Sequence, residues 1–182
     1  MTIEWRFPSS VEAVRMKAKE NRSHRIAILG FGNPVRSDDA GGPYVVQQLK
    51  NRLSGREDVS LFDMGTSAFE VLFQLKGHQQ IILVDAVVNT GDPVGTLYRV
   101  PAEEVRRTPQ DDPMVFLHSL KWDQALSYAK KILQDEYPEN IQVYLVAIED
   151  TRLEVGMSTV VEQAGEKVVE HILEEVACTP SP

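Results

Sequence analysis

Short, almost wholly apolar blocks alternate along this chain with longer stretches whose apolar residues recur every three or four positions. A strand buried on both faces gives the first pattern and an amphipathic helix the second. The first block, "HRIAILGF" (24–31), is an apolar run with glycine next to its end and reads as a buried strand. A helix follows it, with Pro43 suited to the first turn and Val46, Leu49 and Leu53 at helical spacing. "VSLFDM" (59–64) reads as a second strand. "SAFEVLFQLKG" (67–77) reads as a helix, with Ser67 at its N-cap and Gly77 as its stop. "QIILVDAVV" (80–88) is the strongest strand pattern in the chain. "GTLYRV" (95–100) follows the turn signal "NTGDP" closely enough to run antiparallel at a sheet edge. "SLKWDQALSYAKKILQDEY" (119–137) predicts a long amphipathic helix with Leu126, Ala129 and Leu133 on one face, and "IQVYLVAI" (141–148) a further buried strand. The last helix is expected over 159–176. Thr159 and Glu162 form a capping box there, and Val161, Ala164, Val168 and Ile172 an apolar stripe.

Strands alternating with helices predict an α/β fold: a three-layer α/β/α sandwich around a mostly parallel sheet of about five strands. The pattern places one domain at 24–177. Residues 1–23 form a polar extension, with a short helix from Ser10, laid on the surface or partly mobile. Residues 178–182 form a loose tail.

Composition narrows the partners. The 182 residues carry a net charge of −8, which argues against a general nucleic-acid binder, because such binding needs Lys and Arg to neutralise phosphates. Cys178 is the single cysteine, so an intrachain disulfide and a cysteine-based zinc site are both excluded. A reducing, cytoplasmic setting is the expectation. The longest apolar runs are strand-sized, and the first residues lack a signal peptide's apolar core, so no membrane partner is expected.

In sheets of this kind ligands bind beyond the carboxyl ends of the strands. Asp39, Asp85 and His118 fall on that rim. The glycine turn before Asp39 invites a phosphate-binding reading. However, the dinucleotide fingerprint needs glycine where Val35 stands, no Walker motif is present, and adjacent Asp38 and Asp39 repel phosphate. The glycines then serve a tight turn and close backbone packing. Asp85 lies in an apolar run, where a carboxylate is costly unless paired or bound to a metal. Its plainer role is to cap the loop after its strand. For Asp38 and Asp39 the plainer role is to stabilise a helix N-terminus, which suits Asp38 better. For His118 it is an N-terminal helix position or a satisfied core histidine. Taken together, two carboxylates and an imidazole on one rim form an oxygen/nitrogen metal site with open positions. His24, His78 and His171 lie beside polar stretches or on the outer side of a helix. H-E-x-x-H and G-x-S-x-G are absent and Cys178 is misplaced for a nucleophile, so any hydrolysis must use the carboxylates, a metal, or both.

"GFGNPVRSDDAGGPYVV", "DMGTSAFEVL", "ILVDAVV", "LHSL" and "VAIED" ahead of "VGMSTVVEQA" together resemble the [NiFe] hydrogenase maturation proteases. The resemblance runs from about residue 24 to 176, with the motifs in the family's order. It implies an endopeptidase that removes a C-terminal extension from the precursor of a [NiFe] hydrogenase large subunit after nickel insertion. Nickel carried by that substrate is the recognition signal. The family's metal ligands carry over to Asp39, Asp85 and His118. Asp38 matches the neighbouring acidic position and is expected to be structural or to support the ligands. Ala40 stands where many members have glycine.

The resemblance leaves the chemistry open. Metal can polarise the scissile carbonyl or activate water, or it can only position the peptide while Asp39 or Asp85 acts as general base. Arg36 is expected to pair with Asp38 or else to contact the substrate tail, and Gly32 and Asn33 belong to the same turn. Two other readings remain: a non-catalytic metal or partner sensor on the same scaffold, and a nucleotide-binding α/β domain.

Overall fold

The computed structural model describes residues 26–105 and 121–179. Strand β1 (Ile26–Phe31) is followed by a single 3-10 turn (Ser37–Ala40) and helix α1 (Gly41–Arg52). Then come β2 (Val59–Gly65), a 3-10 turn (Ala68–Glu70), the one-turn helix α2 (Val71–Gln74) and β3 (Gln80–Val87). After them stand β4 (Leu97–Pro101), short α3 (Ala102–Val105), α4 (Trp122–Leu133), β5 (Asn140–Ala147) and α5 (Thr159–Cys178). The five strands form one sheet in the order β2-β1-β3-β5-β4. All pairs are parallel except β4–β5, so the expected antiparallel edge strand is present.

Alternation along each strand feeds two cores. Ile26 and Ile28 of β1 face the layer of α1 and α5 and pack with Val45, Leu49, Val168 and Ile172. Ala27, Leu29 and Phe31 point to the other layer and pack with Val71, Leu75, Ala125 and Leu126 of the α2–α4 side. These two apolar faces are why the strand sequences run almost unbroken.

Three local expectations change. The helix expected over 67–77 is a 3-10 turn plus one α turn, and Ser67 makes no side-chain capping bond. Phe69 and Phe73 are 43% and 65% exposed, so Val71 and Leu75, both fully buried, do the anchoring. The cap of α5 is Ser158, whose hydroxyl accepts the Val161 N–H at 3.4 Å, and not Thr159. Helix α4 starts at Trp122 and gives way to a 3-10 turn at Gln134–Glu136. The polar extension at 1–23 lies outside the described residues, as does His118.

Candidate active site

The sheet order sets the place of the site. From β1 the chain crosses to β2 on one side, and β3 then returns to the other side of β1. The carboxyl ends of β1 and β3 therefore flank a topological switch point, where loops diverge and leave a crevice. The turn after β1 carries Asp39, and the end of β3 carries Asp85.

Glycine lets the first turn sit close to the sheet. A Cβ on Gly42 would lie 2.1 Å from the Phe31 carbonyl oxygen and 2.8 Å from that of Val84. Only a bare backbone lets the start of α1 rest on both strands. Gly32, at φ +139°, faces the Asp39 carbonyl oxygen in the same way; a Cβ there would be 1.9 Å from it. The glycines thus serve close packing, and the phosphate reading loses its structural basis.

The two adjacent aspartates do different jobs. Asp38 is buried, and its carboxylate accepts the Ser158 N–H at 2.7 Å and the Ser158 hydroxyl at 3.1 Å. It ties the β1–α1 turn to the start of α5. The expected Arg36–Asp38 pair does not form, because Ser158 takes both Asp38 oxygens and Arg36 donates instead to the Thr151 carbonyl at 3.2 Å. The Ser37 N–H adds a bond to the Glu154 carbonyl at 2.8 Å, so the turn is braced against the loop after β5. Asp39 is only partly buried. Its Oδ2 accepts the Asn33 N–H at 3.0 Å. Burial raises its pKa, and the Asn33 bond and the Arg36 charge pull it back down.

Asp85 ends its strand inside a cleft of about 670 Å³, whose walls include Gly32, Thr66, Glu104, Trp122 and Asp123. Asp85 Oδ2 accepts the Trp122 indole N–H at 2.7 Å, and Oδ1 accepts the Ala86 N–H at 2.8 Å. Burial pushes its pKa up to about 6, against those two hydrogen bonds, and the charges of Asp39 and Asp123 raise it further. The expected capping of the next loop is real in part, through Ala86, yet each oxygen keeps a lone pair. Two partly buried carboxylates at neighbouring strand ends can take a proton from a reacting group or contribute to holding a divalent cation.

Among the described residues no three histidine, cysteine or acidic side chains gather as a metal site. The imidazole of the expected set, His118, lies outside those residues, in the segment leading into α4. A second concavity, lined by Gln80, Glu139 and Asn140 among others, opens at the amino ends of the strands, away from the switch point. Sequence reasoning missed Trp122 and Ser158. An isolated tryptophan at the first position of an amphipathic helix was a signal for the former.

A doubly wound α/β domain with a cleft at its switch point, and acids placed at the carboxyl ends of β1 and β3, defines the class by fold: an α/β domain of the kind that binds its ligands beyond the strand ends. Residues 43–175 match the model of the HycI family, described as hydrogenase maturation protease. The Hydrogenase 2 maturation protease of Escherichia coli K12 is 28% identical over 154 residues, covering 82% of this chain and 88% of that one. The structure of the hydrogenase maturating endopeptidase HybD from E. coli superposes with a TM-score of 0.66 at 26% identity, covering 84% of this chain and 92% of that one. A [NiFe] hydrogenase maturation protease HycI from Thermococcus kodakarensis, at 23% identity and a TM-score of 0.64 over 85% of this chain and 93% of that one, shares the fold. The chain belongs to the hydrogenase maturation protease family. It is a hydrolase that cleaves peptide bonds. No helix among the described residues is long and apolar enough to cross a membrane.

Proposed function

We propose that this protease removes the C-terminal extension of a [NiFe] hydrogenase large-subunit precursor once nickel has been inserted. It reads the substrate's nickel through Asp39, Asp85 and His118. The observation that supports this most is the placement of Asp39 and Asp85 at the carboxyl ends of β1 and β3, near enough that the charge of Asp39 raises the pKa of Asp85. Two carboxylates and an imidazole suit a borderline divalent cation such as nickel. Three protein ligands leave positions open, so the metal can stay bound to the precursor while the protease grips it. Cleavage is then licensed by metallation and not by a side-chain motif.

Within that complex each residue has a separate task. Asp39 is oriented by the Asn33 N–H and Asp85 by Trp122 and Ala86, so neither must reorganise when the substrate arrives. A carboxylate whose pKa is raised is a better proton acceptor near neutral pH, which fits Asp85 or Asp39 to take the proton of the attacking water. Nickel supplies positive charge at the scissile region when it is bound. Asp38 keeps the turn in place, and Arg36, exposed beside Asp39, is available to the departing peptide. The lone cysteine supports a reducing, cytoplasmic setting.

Mass spectrometry of nickel-loaded precursor incubated with the protein tests this reading. The parent protein is expected to shorten the precursor at its C-terminus, and Asp39→Ala, Asp85→Ala and His118→Ala to leave its mass unchanged while remaining folded. Trimming by all three variants contradicts the proposal. An unchanged mass with the parent itself favours a non-catalytic sensor.

A further inference from the structure

Trp122 opens α4 directly after the segment that contains His118. Its ring lies over the end of β1, with its centroid 6.3 Å from that of Phe31 at 33°. Its indole N–H crosses the crevice to β3 and donates to Asp85 Oδ2 at 2.7 Å. One side chain therefore joins three elements that meet at the switch point. Phe31 is 4% exposed, so the ring rests on a fixed surface.

The chemistry of the donor limits what this bond can do. An indole N–H donates and never accepts, so the partner oxygen is used as an acceptor only. Asp85 Oδ1 is held by the Ala86 N–H next to it in sequence, a contact that the strand end supplies by itself. The Trp122 bond is the one that crosses the cleft. With both bonds in place the carboxylate plane is fixed, and the remaining lone pairs point where the two donors do not. Groups that hold a metal ligand in this manner commonly change metal affinity by about 10–100-fold when removed.

We propose that Trp122 is a positioning residue for the proteolytic site, holding the Asp85 carboxylate in the one orientation that presents a free oxygen lone pair to the metal. This rests on the reading of Asp85 as a nickel ligand. It makes the start of α4 an active part of the site, so that α4 sets the aim of an acid carried on β3.

Calorimetric titration of the full chain with Ni(II) tests it, using the parent protein, Trp122→Phe and Asp85→Ala. Trp122→Phe keeps an aromatic ring against Phe31 and removes only the donor. It is expected to weaken Ni(II) binding by about 10–100-fold, and Asp85→Ala to abolish it. Trp122→Phe binding within about twofold of the parent, with Asp85→Ala silent, overturns the positioning role and leaves the ligand reading standing. Asp85→Ala binding as the parent does, or a parent that takes up no Ni(II), overturns the ligand reading and this inference with it.

A second measurement leaves Trp122 and Asp85 intact. In a Trp5→Phe background Trp122 is the sole indole, and saturating Ni(II) is expected to quench its fluorescence along the same isotherm as the heat. Heat of binding without quenching places the metal away from the indole and contradicts the proposal.

Discussion

The two faces of the sheet are built to different ends. The α1–α5 face carries two long helices, of 12 and 20 residues, laid over Ile26, Ile28, Ile82 and Val84. The opposite face carries a one-turn helix, a 3-10 turn and α4, and it leaves Phe69 and Phe73 in solvent and a cleft at the strand ends. Both faces bury an apolar core, and α4 has the same 12 residues as α1, but the segment after β2 on the second face stays irregular and leaves room for the cleft. The acids illustrate the same contrast. Asp38 faces α5, is buried, and is fully engaged by Ser158; Asp85 opens into the cleft with its pKa raised. One face buries its acid in a structural bond, and the other leaves an acid open to a cleft.

Substitutions on the cleft side should break activity and spare the fold. Asp85→Ala is expected to reduce precursor trimming by about a thousandfold or more, equivalent to about 4 kcal/mol of lost transition-state stabilisation. Its thermal midpoint should stay close to that of the parent, since relief of a carboxylate that burial disfavours offsets the loss of an acceptor for the Trp122 and Ala86 N–H groups. Calorimetry and a trimming time course measure both.

On the other face the order reverses. Ile172 of α5 is fully buried against the sheet, and Ile172→Ala is expected to cost about 2–5 kcal/mol in urea denaturation. Trimming per folded molecule should be unchanged. A large loss of specific activity with intact stability would mean that α5 takes part in the chemistry.

The contrast also predicts a pH dependence. Burial lifts the folded-state pKa of Asp85 from 3.8 to about 6. Below about pH 4 the group is protonated in both folded and unfolded chains, and its penalty vanishes. Between about pH 4 and pH 6 the unfolded chain ionises this group while the folded chain still holds its proton, so stability falls, and above about 6 the loss levels off. Relative to Asp85→Asn, the metal-free parent should lose up to about 3 kcal/mol between pH 4 and pH 7. Parallel stability curves for the two proteins would contradict the raised pKa.

Smaller effects sharpen the comparison. Asp38→Ala leaves the Ser158 N–H without its acceptor and should cost about 1–3 kcal/mol, with a milder loss of activity as the β1–α1 turn loosens. Phe73→Ala on the open face should change stability by less than about 0.5 kcal/mol, because its ring is already 65% exposed.

Most of the fold was legible because its signal is local. Apolar blocks such as "IAILGF" and "IILVDAV" fit only strands covered on both sides, and the edge strand β4 was readable from its short connection. The failures lie where a distant residue decides. Thr159 and Glu162 match the capping-box spacing, yet Ser158 is the cap, and Asp38 reaches it from 120 positions away. Phe69, Leu72 and Phe73 have helical spacing, but only one turn of α-helix forms after the 3-10 turn and the two phenylalanines face out. Asp39, in the turn after β1, and Asp85, near the carboxyl end of β3, were placed on the same rim by the order of strands in the sequence. The Trp122–Asp85 bond was not legible, since nothing in the local sequence of α4 points toward β3.

The central claim is that Asp39, Asp85 and His118 hold one nickel ion between them. X-ray absorption at the nickel edge, on protein loaded with Ni(II), measures this directly. The account predicts oxygen and nitrogen neighbours at about 2.0–2.2 Å, with the outer-shell signature of one imidazole that disappears in His118→Ala. A nickel environment identical in the parent, Asp39→Ala, Asp85→Ala and His118→Ala would contradict it.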